Sequence, residues 1–182
     1  MQKPSESKKK KISVTDIIFY AVITILIIYA LINKAPQFIN SQKLKQVNIE
    51  DLQLTGMDNT THFMKEQKGK LVLLVFWASW CNPCRQEIPV LNELYKKYSR
   101  QNKLEIFAIN TGENINQIEK IKNEKNILYP IMIDHNGELS NKFKITSIPA
   151  LVFIDKEGKI IKINFGYSFF LKNEVKSLIN KK

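Results

Sequence analysis

Residues 71–89 read LVLLVFWASWCNPCRQEIP, an apolar run followed at once by a Cys-x-x-Cys pair and then by helix-forming residues. An uninterrupted run of apolar and β-branched residues is typical of a strand that is covered on both faces of a largely parallel sheet. Apolar residues with helical spacing then continue through residues 82–100. This stretch therefore predicts a buried strand that leads directly into a helix, with Cys81 and Cys84 at the junction.

The segments on either side of this stretch alternate between strand and helix patterns. Before it, a weak strand is predicted at residues 48–54 and a short amphipathic stretch ends at the turn 68–70. After it, the pattern predicts strands at 104–110 and 131–134, helices at 114–125 and 138–143, a hairpin of strands at 150–155 and 159–165, and a last helix at 168–180. Such alternation indicates βαβ crossovers, so we predict an α/β fold with a central mixed β-sheet flanked by helices.

The composition is that of a globular protein, with 44% hydrophobic and 25% charged residues in 182 positions. A chain of this length has room for one domain and an appendage. The formal net charge is +11, from 28 Lys and Arg against 17 Asp and Glu. Because the basic residues of the domain are scattered and form no Arg cluster or basic aromatic strip, we expect a lysine-rich surface and no nucleic-acid partner.

The N-terminal part carries the pattern of a membrane anchor. Residues 14–32 read VTDIIFYAVITILIIYALI, and a helix of that length reaches about 28 Å, enough for a bilayer core of about 30 Å. Lys8 to Lys11 precede this segment and only Lys34 follows it closely, so the positive-inside rule keeps the N-terminus in the cytoplasm. We predict a basic cytoplasmic N-terminus at 1–13, an uncleaved signal anchor at 14–32, a linker at 33–47 and an extracytoplasmic domain at 48–182.

A cleaved secretory signal peptide is the alternative to the anchor. It would have a shorter apolar core and small residues at the cut site, and no A-x-A-like site follows residue 32. Both alternatives place the domain outside the cytoplasm, where disulfides persist and thiol exchange has substrates.

The two cysteines are the only ones in the chain. A single Cys-x-x-Cys pair can be a structural disulfide, half of a zinc site or a redox centre. Zinc would need further ligands, and only His62 and His135 are available, without ligand spacing. We therefore expect no metal and no other cofactor, while the structural and the redox alternatives both stay open.

The helix that begins at the pair would activate its first thiol. A cysteine at a helix N-terminus faces unpaired backbone N–H groups and the positive end of the helix dipole, which lowers the pKa of its thiol. We predict that Cys81 attacks and that Cys84, nearly one turn later, resolves the mixed disulfide. Pro83 sets a helical φ in the first turn and should hold the two sulfurs in register.

The segment FWASWCNPCRQEIP at 76–89 resembles the active-site segment of thioredoxin-fold proteins, in particular the membrane-tethered ResA/TlpA/CcmG-like thiol-disulfide oxidoreductases. The likeness runs from about Asn48 to the C-terminus. Pro89, the segment Thr146–Ala150 before a strand and the turn Asp155–Lys159 match further features of that group. The resemblance implies a thioredoxin-like fold and an enzyme that exchanges disulfides with extracytoplasmic proteins and draws electrons from a membrane thiol donor.

The resemblance also assigns roles around the cysteine pair. Pro149 would be cis and pack against the cysteines, and the backbone of Ile148 would offer strand-like hydrogen bonds to a substrate segment. The alternative is a trans proline that starts an edge strand. Trp80 would lie at the rim and shield the disulfide, unless it serves ordinary packing, and Trp77 would pack in the core.

Proton handling should differ from that of thioredoxins proper, which carry a buried Asp at the position of Val75. Glu87 lies three residues after Cys84 on the same helix face and matches a Glu of the ResA/TlpA-like group. We expect Glu87 to accept the Cys84 proton, which requires a pKa raised by partial burial. A solvent-exposed Glu without a function is the alternative.

The implied direction of exchange is reduction. The implied pathway is cytochrome c maturation, in which a C-x-x-C-H segment of apocytochrome c is reduced before haem attachment. Three other classes stay open: a binding or scaffold module with a structural disulfide, a disulfide oxidase, and a peroxiredoxin-like antioxidant. A peroxiredoxin would carry a lone peroxidatic cysteine in a different motif, which argues against the last of these.

Overall fold

The computed structural model of the protein describes residues 15–16, 18–29 and 49–181. They belong to two compact units, residues 1–40 and 41–182. In the first unit, residues 18–29 form helix α1. No helix among the described residues is both long enough and apolar enough to cross a membrane. The predicted basic N-terminus (1–13), the ends of the predicted anchor and the predicted linker (33–47) lie outside the described residues.

The second unit opens with a small hairpin of strands β1 (Gln53–Thr55) and β2 (Thr61–Phe63), followed by a 3-10 helix at Met64–Gln67. The prediction of a strand at 48–54 was wrong in its bounds, because residues 50–51 form a turn and pairing begins only at Gln53. The sequence pattern missed β2, since its three side chains are exposed or half-buried and show no apolar alternation.

Five further strands form the main sheet: β3 (Leu71–Trp77), β4 (Leu104–Asn110), β5 (Ile131–Ile133), β6 (Ala150–Ile154) and β7 (Ile160–Phe165). Their order in the sheet is β5-β4-β3-β6-β7. The pairs β3–β4 and β4–β5 are parallel, whereas β3–β6 and β6–β7 are antiparallel. The predicted mixed sheet is therefore confirmed, and β3, all of whose residues are buried, lies at its centre.

The helices of the second unit are α2 (Asn82–Tyr98), α3 (Ile115–Lys125), α4 (Glu138–Lys142) and α5 (Leu171–Asn180). Side chains from α2, α3 and α5, such as Leu91, Ile118 and Val175, pack in one core with one face of the sheet. The other face packs with the N-terminal hairpin region and with Phe143, whose ring lies 5.9 Å from that of Phe76. The sheet is thus covered on both sides, as the apolar β3 sequence predicted.

Two predicted helix bounds differ from the observed ones by more than one residue. Helix α2 ends at Tyr98, earlier than the predicted 100, and a 3-10 turn at Ser99–Gln101 follows. Helix α5 begins at Leu171, three residues after the predicted start, because two amides of the preceding loop form hydrogen bonds outside α5. The amide of Gly166 donates to the carbonyl of Pro149 at 2.7 Å, and the amide of Ser168 donates to Glu87.

Candidate active site

The cysteine pair lies where the buried strand β3 turns into helix α2. Cys81 and Cys84 form a disulfide with an S–S distance of 1.98 Å. Cys81 is the N-cap of α2, with an extended backbone, and its Sγ accepts a hydrogen bond from the amide of Cys84 at 3.3 Å. The sulfur therefore occupies the place at which a helix N-terminus stabilises negative charge, so an opened bridge would leave an activated thiolate.

The connection between strand and helix is a single tight turn. The amide of Cys81 donates to the carbonyl of Ala78 at 3.2 Å, which closes the turn Ala78–Cys81. Pro83 follows in the first turn of α2, where the missing N–H of proline leaves no intrahelical bond unmade. The backbone thus runs from the buried sheet to Cys81 through one short turn.

The two tryptophans that flank the turn have different surroundings. Trp80 is 70% exposed, whereas Trp77 is 3% exposed and belongs to the core. An exposure of this size excludes ordinary core packing for Trp80 and agrees with a position at the rim of the site. Trp77 belongs to the core cluster that also contains the cysteines, in agreement with the predicted core packing.

The loop before β6 lies at the same end of the paired strands β3 and β6 as the cysteine turn. The Ile148–Pro149 peptide bond is cis, as the resemblance implied. Pairing of β6 with β3 begins with Ala150 opposite Phe76, so Ile148 lies just beyond the paired part of the sheet. Ile148 also packs against the core cluster that contains Cys81 and Cys84. The structure therefore brings the predicted substrate-binding residues and the cysteine pair to one edge of the sheet.

Glu87 is a buried carboxylate on α2, with 1% of its surface exposed. Its Oε1 accepts a hydrogen bond from the amide of Ser168 at 2.9 Å, and its Oε2 has no hydrogen-bond partner among the described residues. Burial raises the pKa of Glu87 to about 6, although the Ser168 hydrogen bond lowers it in part. A solvent-exposed Glu, the alternative raised by the sequence, is excluded.

Tyr129 is a second buried titratable group near Glu87. It is 3% exposed, and burial raises the pKa of its phenol. The charge of Glu87 raises the pKa of Tyr129 further. The carboxylate and the phenol therefore share one poorly hydrated region, in which a charge on Glu87 is costly and a proton is readily taken up.

The loop 166–170 belongs to the site and was missed by the sequence pattern, which assigned its second half to a helix. It bonds to Pro149 through Gly166 and to Glu87 through Ser168. Phe169 and Phe170 are 84% and 74% exposed. The apolar stripe of Leu171, Val175 and Ile179 that α5 buries is visible in the sequence, but the hydrogen bonds of the loop before it are not.

No group of three or more His, Cys, Asp or Glu side chains that could hold a metal ion occurs within the described ranges.

A mixed sheet with a helix-capping Cys-x-x-Cys disulfide and a cis-proline loop at its edge defines a thioredoxin-like domain. The AhpC/TSA family model matches residues 45–163. The chain therefore belongs to the AhpC/TSA family.

Curated relatives share the sequence of this domain. The thiol-disulfide oxidoreductase ResA of Geobacillus thermodenitrificans (strain NG80-2) is 37% identical over 116 residues, which cover 64% of this chain and 66% of that protein. ResA of Oceanobacillus iheyensis is 32% identical over 139 residues, which cover 76% of this chain and 67% of that protein. The chain thus spans about two thirds of the length of these relatives, and it is their homologue.

Solved structures share the fold. StoA from Bacillus subtilis superposes with a TM-score of 0.60 at 22% identity, over 71% of this chain and 98% of that chain. A secreted Mycobacterium tuberculosis disulfide oxidoreductase homologous to E. coli DsbE gives a TM-score of 0.61 at 19% identity, over 75% and 98%. At these identities the likeness shows the thioredoxin-like fold.

Replacing Glu87 by Gln should remove a pH dependence of stability. The pKa of Glu87 is about 6 in the folded protein, against an ordinary value of 4.5, so the folded state binds this proton more tightly than the unfolded chain. The wild-type free energy of unfolding should therefore gain about 2 kcal/mol from this group as the pH falls from above 6 to below 4.5. Urea denaturation of both proteins at several pH values measures the difference.

Glu93→Gln is the matched control, because Glu93 lies on the same helix but its side chain is 59% exposed. Its pH profile of stability should parallel that of the wild type. If Glu87→Gln and the wild type gave parallel profiles, the Glu87 carboxyl would not carry a raised pKa.

Proposed function

We propose that this protein is a thiol-disulfide oxidoreductase that reduces disulfides of extracytoplasmic proteins through Cys81 and Cys84. The observation that carries the proposal is the N-cap position of the Cys81 sulfur, bonded to Cys84 and hydrogen-bonded by the Cys84 amide. A structural disulfide needs no such placement, whereas an attacking thiol gains a lower pKa from it. The names of the relatives support the same activity.

The proposed reaction begins from the dithiol form. The Cys81 thiolate attacks one sulfur of the substrate disulfide, the substrate S–S bond breaks, and the other substrate sulfur leaves as a thiolate that takes up a proton. The Cys84 sulfur then attacks Cys81, which releases the second substrate thiol and forms the Cys81–Cys84 bridge. A dithiol donor returns two electrons by the same exchange, and we propose a membrane thiol protein for this role.

Glu87 has the proposed role of proton acceptor for Cys84. A thiol with an ordinary pKa of about 8.5 is mostly protonated at neutral pH and attacks slowly. A carboxylate with a pKa of about 6 is mostly ionised at neutral pH and still binds a proton well. The unpartnered Oε2 of Glu87 is the atom to which the proton would go.

We propose that the substrate binds along the cis-proline loop. Ile148 lies just outside the paired part of β6, so its backbone would pair with an extended substrate segment as an added strand does. Trp80, exposed beside Cys81, would cover the exchanging sulfurs from the solvent side. Such a site accepts a protein segment that carries the disulfide, and apocytochrome c is the client that the resemblance suggests.

Replacing Cys84 by Ser should trap the mixed disulfide. The variant keeps the attacking Cys81 and lacks the thiol that releases the substrate, so covalent adducts with client proteins should accumulate. Non-reducing electrophoresis and mass spectrometry of the adducts would identify the clients, and a C-x-x-C-H segment among them would support apocytochrome c. Cys81→Ser is the matched control and should form no adducts and show no turnover.

A structural disulfide predicts different results. The Cys84→Ser variant would then trap nothing, and the wild-type bridge would stay oxidised in buffers poised well below roughly −300 mV. Mass-shift alkylation in buffers of defined potential measures the second quantity.

Glu87→Gln should slow the exchange most strongly near neutral pH. A lost general base typically costs about a hundredfold or more, and the effect should shrink as the pH rises towards the pKa of the Cys84 thiol, where the thiol ionises without a general base. Stopped-flow measurement of mixed-disulfide resolution as a function of pH tests this. An unaltered pH profile would remove Glu87 from the mechanism.

We further propose that residues 14–32 anchor the domain to the cell membrane, with the N-terminus in the cytoplasm. The full-length chain should then stay in the membrane fraction after an alkaline carbonate wash. Two charges in the apolar run, Ile25→Lys with Ile28→Lys, should release it, because each Lys costs about 2.5–3.5 kcal/mol at a membrane centre. The control pair Ile25→Leu with Ile28→Leu should remain bound, and release of the unaltered chain would refute the anchor.

A further inference from the structure

Glu113, in the loop between β4 and α3, binds the turn that precedes Cys81. Its Oε1 accepts a hydrogen bond from the Ser79 hydroxyl at 2.5 Å, and its Oε2 accepts one from the Ser79 amide at 2.6 Å. Both groups of one residue thus donate to both oxygens of one carboxylate, across 34 positions of sequence. Hydrogen bonds to an ionised carboxylate are stronger than those between neutral groups.

The carboxylate is itself fixed to the sheet by Asn110. The Asn110 side-chain amide donates to Oε2 of Glu113 at 2.7 Å, and the Glu113 amide donates back to Asn110 Oδ1 at 2.9 Å. Asn110 is completely buried as the last residue of β4, and its carbonyl accepts from the amide of Asp134 at 2.9 Å. Glu113 is therefore a rigid support rather than a mobile surface side chain.

Ser79, which donates both hydrogen bonds to Glu113, lies within the turn that sets the position of the Cys81 sulfur. Ser79 is the second residue of the turn Ala78–Cys81, and Cys81 is the N-cap of α2. We propose that Glu113 is a positioning residue, which holds this turn so that the Cys81 thiolate stays at the N-terminus of α2. This inference rests on the proposed function, since it concerns the attacking state of Cys81.

The physical reason is the short range of the helix-terminus effect. Stabilisation of a charge by a helix dipole falls off within the first turn, so a small displacement of Sγ raises the pKa of the thiol. The oxidised protein has a covalent bond that ties Cys81 to Cys84 in α2. In the dithiol that bond is broken, while the Glu113–Ser79 hydrogen bonds, together with the core packing of Ala78 and Cys81, still restrain the turn from outside α2.

Asp134 provides a matched comparison at the next strand of the same sheet. It is 4% exposed, and its carboxylate accepts from the amides of Leu139 and Ser140 at 3.0 and 2.9 Å and from the Ser140 hydroxyl at 2.7 Å. These side-chain bonds hold the start of α4 and do not include the cysteine turn. The Asp134 amide bonds to the Asn110 carbonyl, and replacing the side chain by Ala keeps that amide. Loss of either carboxylate should destabilise the fold, but only loss of Glu113 should alter Cys81.

The experiment measures the pKa of Cys81 in the Cys84→Ser background, in which Cys81 is the only thiol. Rates of alkylation by iodoacetamide as a function of pH give this pKa. Glu113→Ala should raise it by about one unit towards that of a free thiol. Ser79→Ala, which keeps the backbone donor and loses the hydroxyl, should give a smaller rise and serves if Glu113→Ala fails to fold. Asp134→Ala should lower the melting temperature and leave the Cys81 pKa unchanged.

Glu113→Gln separates positioning from charge. The amide can keep one oxygen for the Ser79 and Asn110 donors and can donate its NH2 to the Ser79 hydroxyl, so this variant should retain the wild-type Cys81 pKa. The inference is overturned if Glu113→Ala leaves the pKa unchanged, if Asp134→Ala raises it equally, or if Gln behaves like Ala. If Cys81 has the ordinary thiol pKa of about 8.5 already in the Cys84→Ser variant with Glu113 intact, the proposed function itself is refuted.

Discussion

A sulfur that caps a helix is stabilised as a thiolate only while the helix begins at that residue. In this protein the preceding strand fixes the start of α2, because β3 is buried along its whole length and leads into the helix through one tight turn. Pro83 then restricts the backbone in the first turn. The stabilisation of negative charge on Cys81 Sγ thus depends on the packing of the central strand.

The buried carboxyl group is the second constraint on the site. At position 75, where thioredoxins proper carry a buried Asp, this chain has Val75 in its apolar core. The buried carboxyl comes instead from Glu87 on the helix, which accepts a hydrogen bond from a loop amide through Oε1 and has no partner for Oε2 within the part of the chain that the structure describes. A buried carboxylate with one unpartnered oxygen costs stability when it is ionised, and that cost is what raises its pKa. Such a group is poorly suited to a purely structural role and well suited to proton exchange.

The sequence could predict what is local in this structure. The all-apolar residues 71–77, the helical spacing after Cys84 and the turn Asp155–Lys159 each predict one element. Strand β3, the start of α2 and the β6–β7 hairpin lie where they were expected, to within one residue. The burial of Glu87 is different, because helical spacing gives the face on which it lies but not the loop that covers it. The covering loop contains Ser168, which is 81 positions away from Glu87 in sequence.

Contacts between residues far apart in sequence also explain the other differences between the predicted and the observed structure. Residues 112–114 read GEN, a polar turn in sequence, and nothing local indicates that Glu113 reaches Ser79. Strand β2 is defined only by its pairing with β1, and the start of α5 only by what the preceding loop binds. Elements that follow from local periodicity were predictable, whereas contacts between loops that meet at one edge of the sheet were not.

These loop contacts share a physical feature, since each satisfies a backbone amide of a connecting segment with an acceptor near the cysteines. The amides of Ser79, Gly166 and Ser168 donate to Glu113, Pro149 and Glu87, respectively. A connecting segment that lacks ladder partners must find acceptors elsewhere, and here the acceptors belong to the site itself. A carboxylate accepts an amide hydrogen bond more strongly than a neutral carboxyl group does. The protonation state of Glu87 and the strength of its hydrogen bond to the Ser168 amide in the loop 166–170 are therefore linked, so a change in one must change the other.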